Sequence, residues 1–159
     1  MIIPAYNEEE SILNTVMSIV EYRKKVDFDL DYVVINDGSV DRTKEILDSH
    51  HLNAIHLVMN LGIGGAVQTG YKYALEKNYD VAVQFDGDGQ HDIESLDALL
   101  EPIRRQQADL VVGSRFIGDK SSEFQTTFMR RFGITIISAF IKLTTGKRIL
   151  DTTSGYRLA

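Results

Sequence analysis

The sequence has 159 residues, 43% hydrophobic and 25% charged, the mix of an ordinary globular domain large enough to bury a core. Its formal net charge of −6, from 23 acidic and 17 basic residues, argues against a nucleic-acid partner, because phosphate-backbone binding wants a concentrated basic surface. With no cysteine, disulfides, zinc–thiolate sites and thiol catalysis are excluded together.

The N-terminus shows no basic segment followed by a long apolar run, the pattern of a signal peptide; Met1-Ile-Ile-Pro4 is a very short first strand, and both ends of the chain read as cut. A first helix is expected over Glu8 to Lys24, with Ile12, Val16, Ile19 and Val20 as its apolar stripe and Asn7 with Glu10 as a capping box. Tyr32-Val-Val-Ile35 reads as a buried strand closed by Asn36-Asp-Gly-Ser39. Ser39 then caps a helix that turns Val40, Thr43, Ile46 and Leu47 inward. Ile55 to Met59 is the third strand. Asn60-Leu-Gly-Ile-Gly-Gly65 leads from it into a helix whose inner face is Val67, Gly70/Tyr71 and Ala74/Leu75. Asp80 to Phe85 is a fourth strand, ending in the acidic loop Asp86-Gly-Asp88-Gly-Gln90. Asp92 caps the next helix, with Ile93, Leu96, Leu99/Leu100 and Ile103 on one side, and Pro102 kinks it or ends its regular part. Leu110 to Gly113 is the fifth strand. A polar loop to about Gln125 and a last helix over roughly Thr126 to Thr144 follow. The longest apolar stretch, Phe132 to Leu143, is about half a membrane span.

Short apolar strands alternating with helices predict one α/β domain over 1–159, a mostly parallel sheet with helices on both faces. Such sheets bind ligands beyond the carboxyl ends of their strands. The unusual polar residues fall at those ends: Asn36/Asp37, Asn60, Asp86/Asp88 and Ser114/Arg115.

The acidic loop carries the sharpest chemistry. Asp86 and Asp88, one glycine apart, can both reach a small cation, and Gln90 or His91 can add a ligand or support one. Magnesium or manganese bound there would bridge to phosphate oxygens. A helix-loop-helix calcium site does not fit, since it needs more oxygen ligands and a closing glutamate. Asp37 can accept from a base N–H or a ribose hydroxyl, or it is a turn residue of Asn-Asp-Gly. The Gly62/Gly64/Gly65 cluster lacks both the dinucleotide spacing and the P-loop lysine, and suits close backbone approach to a ligand at a helix start. Arg115 can hold phosphate, Arg130 and Arg131 either do the same or form a membrane-facing or solvated helix end, and Asp151 in the closing Asp151-Thr-Thr-Ser-Gly-Tyr-Arg157 can take a proton or orient a neighbour. That closing segment reads as too polar for core.

Together Ile3-Pro-Ala-Tyr-Asn-Glu8, Asn36-Asp-Gly-Ser39, Asn60 to Gly65, Asp86 to His91, Gly113-Ser-Arg115 and Asp151 to Arg157 resemble the family 2 glycosyltransferases, nearest the dolichyl- or polyprenyl-phosphate mannose and glucose synthase branch. The resemblance implies a GT-A fold continuing beyond this chain at both ends, and inverting transfer of a hexose from a UDP-sugar or GDP-sugar. Pro4, Tyr6, Glu8, Asp37, Asn60, Gly62, Gly65 and Asp86 would then hold the donor. Asp86, Asp88 and Gln90 would serve the Mg²⁺ or Mn²⁺ site, and Asp151, Arg115, Arg131 and Arg157 the transfer itself. It further implies a lipid-phosphate acceptor, with a polysaccharide or other soluble acceptor as the alternative, work in the cytoplasm at the membrane face, and room for peripheral membrane contact and a homo-oligomer. Two rival classes remain in view. A nucleotidyltransferase would carry a basic glycine-rich loop where Pro4 to Glu8 stands, and a domain that binds the sugar nucleotide without transferring it would show no turnover.

Overall fold

The computed structural model describes residues 1–86, 93–113 and 156–158. The chain divides into two compact units, Met1–Val111 with Tyr156–Ala159, and Val112–Gly155. In chain order the elements are β1 (Ile2–Ala5), α1 (Ile12–Arg23), β2 (Val33–Asn36), α2 (Thr43–Ser49), β3 (Ala54–His56) and α3 (Gly62–Glu76). Then come β4 (Val83–Gln84), a 3₁₀ turn (Ile93–Ser95), α4 (Leu96–Arg104), β5 (Val111–Val112) and β6 (Arg157–Leu158).

The sheet runs β3-β2-β1-β4-β6-β5, with β1 parallel to β2 and β4, and β2 parallel to β3. β6 enters antiparallel beside β4, so the α/β sheet is mixed. β1 and β2 are buried throughout, and apolar but for Asn36 at the end of β2, because both of their faces are covered. Ile3 and Ala5 face a core with Ile12, Val16 and Ile19 of α1, Leu47 of α2, and Leu96 and Leu100 of α4. Ile2, Val33 and Ile35 face α3 through Ala66.

Several boundaries differ from the sequence pattern, each for a local reason. α1 begins at Ile12, not Glu8, because Asn7 takes a left-handed conformation (φ 57°) and cannot act as the helix cap. α2 begins at Thr43, whose N–H donates to Asp41 Oδ1 at 3.0 Å; Ser39 is engaged elsewhere and Val40 is exposed. β3 stops at His56, and Val58 and Met59 point to solvent, 99% and 64% exposed. On α3 the buried stripe is Ala66, Gly70 and Ala74, with Leu75 exposed. Small residues win because the helix lies close to β1: a Cβ at Gly70 would stand 2.1 Å from Ile2 Cγ2.

The α4 face appears as the periodicity predicts, with Ile93, Leu96 and Leu100 buried and Leu99 and Ile103 packed against the core. Pro102 lies inside α4, which ends two residues later at Arg104. Of the closing segment only Tyr156 and Arg157 are among the described residues, and Tyr156 corrects the reading of it as too polar for core. Tyr156 is buried and meets the Phe85 ring edge-on, centroids 5.3 Å apart, and Leu158, two residues on, is buried too. The expected Asp92 cap, the polar loop from Ser114 and the last helix over 126–144 lie outside the described residues. Among the described residues no helix is long and apolar enough to cross a membrane.

The glycines of α3 should respond oppositely to alanine. Overpacking against Ile2 is expected to make Gly70→Ala lose about 1–3 kcal/mol, more than the gain of about 1 kcal/mol in helix propensity. Gly64, with open space around it, should gain stability from the same change. Urea denaturation of both variants measures the contrast, and equal effects would contradict the close α3–β1 packing.

Acid should also loosen the start of α2. Burial works to raise the Asp41 carboxyl, but hydrogen bonds from the Thr43 hydroxyl and N–H and the Glu9 N–H outweigh it and hold it below its ordinary 3.8. A lowered folded value means this contribution is whole above the unfolded value and is lost as pH falls through the folded one. Thermal melts should therefore show the gap between the parent and Asp41→Asn narrowing below about pH 4; a gap constant from pH 7 to 2 would contradict it.

Candidate functional site

At the carboxyl ends of β1, β2 and β4 the chain encloses a cavity of about 350 Å³. Four segments supply its walls: Pro4 to Tyr6 with Glu8 at and beyond the end of β1, Asp37 after β2, Asn60 with Gly62, Ile63 and Ala66 at the start of α3, and Asp86 after β4. Its size suits a small polar ligand.

Asp37 is buried, and it ties two walls together. Its N–H donates to the Ala5 carbonyl at 2.9 Å, continuing the β1–β2 ladder, and its Oδ1 accepts from the Leu61 N–H at 2.7 Å. The next residue must be glycine on two counts. Gly38 has φ 68°, and a Cβ there would lie 2.8 Å from both Asn60 N and Met59 C. Asn60 Oδ1 accepts from the Gly62 N–H at 2.9 Å. The amides leading into α3 are thus already partnered by Asp37 and Asn60. Gly62 (φ 77°) borders the cavity with open space around it, whereas Gly65 packs on the Leu61 side chain and is not part of the wall.

The loop after β1 is fastened to the loop after β2. Asn7 N–H donates to Ser39 Oγ at 3.0 Å, and Asn7 Oδ1 accepts from Val40 N–H at 2.9 Å. Glu8 N–H donates to Thr43 Oγ1 at 2.8 Å, Glu9 N–H to Asp41 Oδ2 at 3.1 Å, and Arg42 N–H to Glu9 Oε2 at 2.9 Å. Ser11 Oγ donates to Glu8 Oε2 at 2.6 Å. Behind Asp37, buried Asn36 accepts from Ser39 N–H at 3.1 Å and pairs with His56 Nδ1 at 3.0 Å, while His56 Nε2 meets Asp48 Oδ1 at 3.0 Å. Lys44 and His56 together hold the Asp48 carboxyl below its usual value, Lys44 more strongly. Sequence reasoning passed over Thr43's hydroxyl and His56. The β2–β3 register, which sets Asn36 opposite His56, is the signal that finds the second.

Electrostatically the cavity is one-sided. Glu8, Asp37 and Asp86 line it, and among the described residues no lysine or arginine does. Asp86 stands at the end of β4, with Gln84 Nε2 3.4 Å from its Oδ1. Among the described residues no three carboxylate or histidine groups cluster tightly enough to form a metal shell. Asp88, Gln90, Arg115, Arg131 and Asp151 lie outside the described residues. Arg157 is described: it pairs with Gln84 across β6 and β4, off the cavity wall. Its charge works against the burial that raises the Tyr71 hydroxyl's pKa.

Known proteins share both sequence and fold with this chain. The model of the family described as Glycosyl transferase family 2 matches residues 1–158. An undecaprenyl-phosphate mannosyltransferase of Micrococcus luteus is 35% identical over 98% of this chain and 63% of its own length. A UDP-N-acetylglucosamine--dolichyl-phosphate N-acetylglucosaminyltransferase of Methanococcus voltae is 33% identical over 99% of this chain and 67% of its own. Among solved structures, glucosyl-3-phosphoglycerate synthase of Mycobacterium tuberculosis, in complex with Mn²⁺, UDP-glucose and glycerol 3-phosphate, superposes with a TM-score of 0.70 at 19% identity, over 99% of this chain and 55% of that one. The chain thus spans little more than half to two thirds of these proteins' lengths, and its fold is of the GT-A kind. By its match along nearly every residue, the chain belongs to glycosyl transferase family 2.

Proposed function

We propose that the cavity binds the nucleoside diphosphate of a sugar nucleotide, and that the protein transfers the sugar with inversion to an acceptor. The convergence of Tyr6, Glu8, Asp37, Asn60 and Asp86 on one cavity at the sheet's carboxyl edge carries this reading. Glu8 and Asp37 accept from hydroxyl and base N–H groups of the nucleoside, and Tyr6, 46% exposed, lends it an apolar face.

The charge of the cavity supports a divalent cation. A diphosphate entering between three carboxylates meets repulsion unless a cation compensates it. Asp86 is the described residue suited to hold magnesium or manganese, with Asp88 and Gln90 after it in sequence. Bound there, the ion would neutralise charge growing on the departing diphosphate. In the transfer the acceptor oxygen bonds to the anomeric carbon from the side opposite the diphosphate, and the electron pair of the broken bond leaves with the diphosphate. Asp151 as proton acceptor or orienting group, and Arg115, Arg131 and Arg157 as anion partners, complete the proposal.

Two acceptor classes are in play. The names of relatives at 33–35% identity favour a polyprenyl or dolichyl phosphate, which would set the protein to work at the cytoplasmic face of a membrane. The likeness in fold to phosphoglycerate glycosyl synthases favours a soluble acceptor. Transfer of labelled sugar by the full-length protein to a short polyprenyl phosphate, against 3-phosphoglycerate, separates the two.

The donor half is tested on this chain. A preferred sugar nucleotide at about 100 times its Kd should stabilise the fold by about 2.7 kcal/mol, read as a rise in Tm across UDP-, GDP- and dTDP-sugars. The rise should be larger with manganese than with EDTA, and Asp86→Asn should remove the manganese-dependent part. Equal shifts with and without metal in the parent would contradict the cation, and no shift with any donor would contradict the function.

A further inference from the structure

Thr43 is fully buried, one helical turn before the core residue Leu47. It is the first residue of α2, and it lies off the cavity wall. Its hydroxyl accepts the Glu8 N–H at 2.8 Å and hydrogen-bonds the Asp41 carboxylate, which in turn accepts the Glu9 N–H. The Glu8 carbonyl accepts from Ser11 and Ile12 N–H at 3.1 and 2.9 Å, at the start of α1. The main chain of Glu8 is therefore held on both sides, by α2 through Thr43 and by α1 through its own carbonyl. Its side chain borders the cavity, with Oε2 accepting from Ser11 Oγ at 2.6 Å.

We propose that Thr43 is a positioning residue of the donor site, fixing through its hydroxyl the backbone from which Glu8 and Tyr6 reach the ligand. The proposal rests on the donor-site reading above. A hydroxyl at this depth is costly unless bonded, and here one of its bonds runs to Glu8, in a loop whose side chains line the cavity. Without them, among the described residues, the loop after β1 would be tied to the loop after β2 by the exposed pairs of Asn7 and Glu9. Exposed hydrogen bonds of that kind open readily, so the buried one sets how long the wall keeps its shape.

Thr43→Val keeps the shape and removes the hydroxyl, and Thr43→Ser restores the hydroxyl without the methyl. Amide exchange at Glu8 and Glu9 and calorimetric binding of UDP and GDP with manganese are measured on the whole chain. Thr43→Val is expected to speed exchange at both amides and weaken the preferred diphosphate about tenfold, the effect of losing one buried hydrogen bond, with Thr43→Ser close to the parent. Should Thr43→Val fail to fold, Thr43→Ala, which removes the same hydroxyl with a residue that favours the helix, is measured in its place and should weaken binding by about the same factor. Diphosphate affinity equal to the parent's in Thr43→Val, or in Thr43→Ala where that variant stands in, overturns the proposal. So does a Thr43→Ser as weak as Thr43→Val, since packing of the methyl would then be the cause. A parent that binds neither diphosphate contradicts the donor-site reading itself and takes this proposal with it.

Discussion

The parallel pairing of β1 with β2 is the constraint on which the rest depends. Four consecutive pairs, Ile2 with Val33 through Ala5 with Asn36, fix the register of the two most buried strands. A slip of one residue would exchange the α1 face of β1 for its α3 face and bring Ile3 against Gly70 in place of Ile2. The same register ends both strands at one level, so the chain leaves β1 toward Tyr6 and Glu8 and leaves β2 toward Asp37 side by side. The cavity wall is the continuation of that ladder: the Asp37 N–H still donates to Ala5 after the strands have formally ended.

From that edge the site is assembled by backbone, with side chains serving as its fastenings. Gly38 lets the β2 loop touch the backbone of Met59 and Asn60, Asp37 then holds Leu61, and Asn7, Asp41 and Thr43 hold the β1 loop to the β2 loop. The polar residues of Asn36-Asp-Gly-Ser39 thus have divided duties. Asn36 and Ser39 are taken up entirely by structure, while Asp37 does structural work with Oδ1 and still borders the cavity. The choice between ligand-binding carboxylate and turn residue dissolves, because this geometry accommodates both.

Much of this was legible in the residues. The order of strands and helices followed from apolar runs and helical periodicity, and the carboxyl-edge rule brought Asp37, Asn60 and Asp86 to one place before any coordinates did. What the pattern missed had a common cause, which is that hydropathy is blind to distance between backbones. On α3 it favoured Val67 and Leu75, whereas the close approach to Ile2 selects Ala66, Gly70 and Ala74. After β3 it carried the strand on through Val58 and Met59, yet the last ladder bond, from Leu57 N–H to the Asn36 carbonyl, is followed by a turn toward Gly38. Asn7 read as a helix cap by residue type, and only its left-handed backbone reveals a staple between loops. The two-residue strand β6 is too short to show any period, and the polar residues before it hid Tyr156.

The central claim is that four strand-end segments form one nucleoside-diphosphate site. Titration of ¹⁵N-labelled protein with UDP and GDP in the presence of magnesium reads it most directly, amide by amide. The expected result is a saturable set of shifts at Tyr6, Glu8, Asp37, Asn60 and Gly62, with the opposite end of the sheet, around Asp31, Lys77 and Tyr79, unchanged. Shifts centred on that opposite end, or none at saturating nucleotide, would contradict the account.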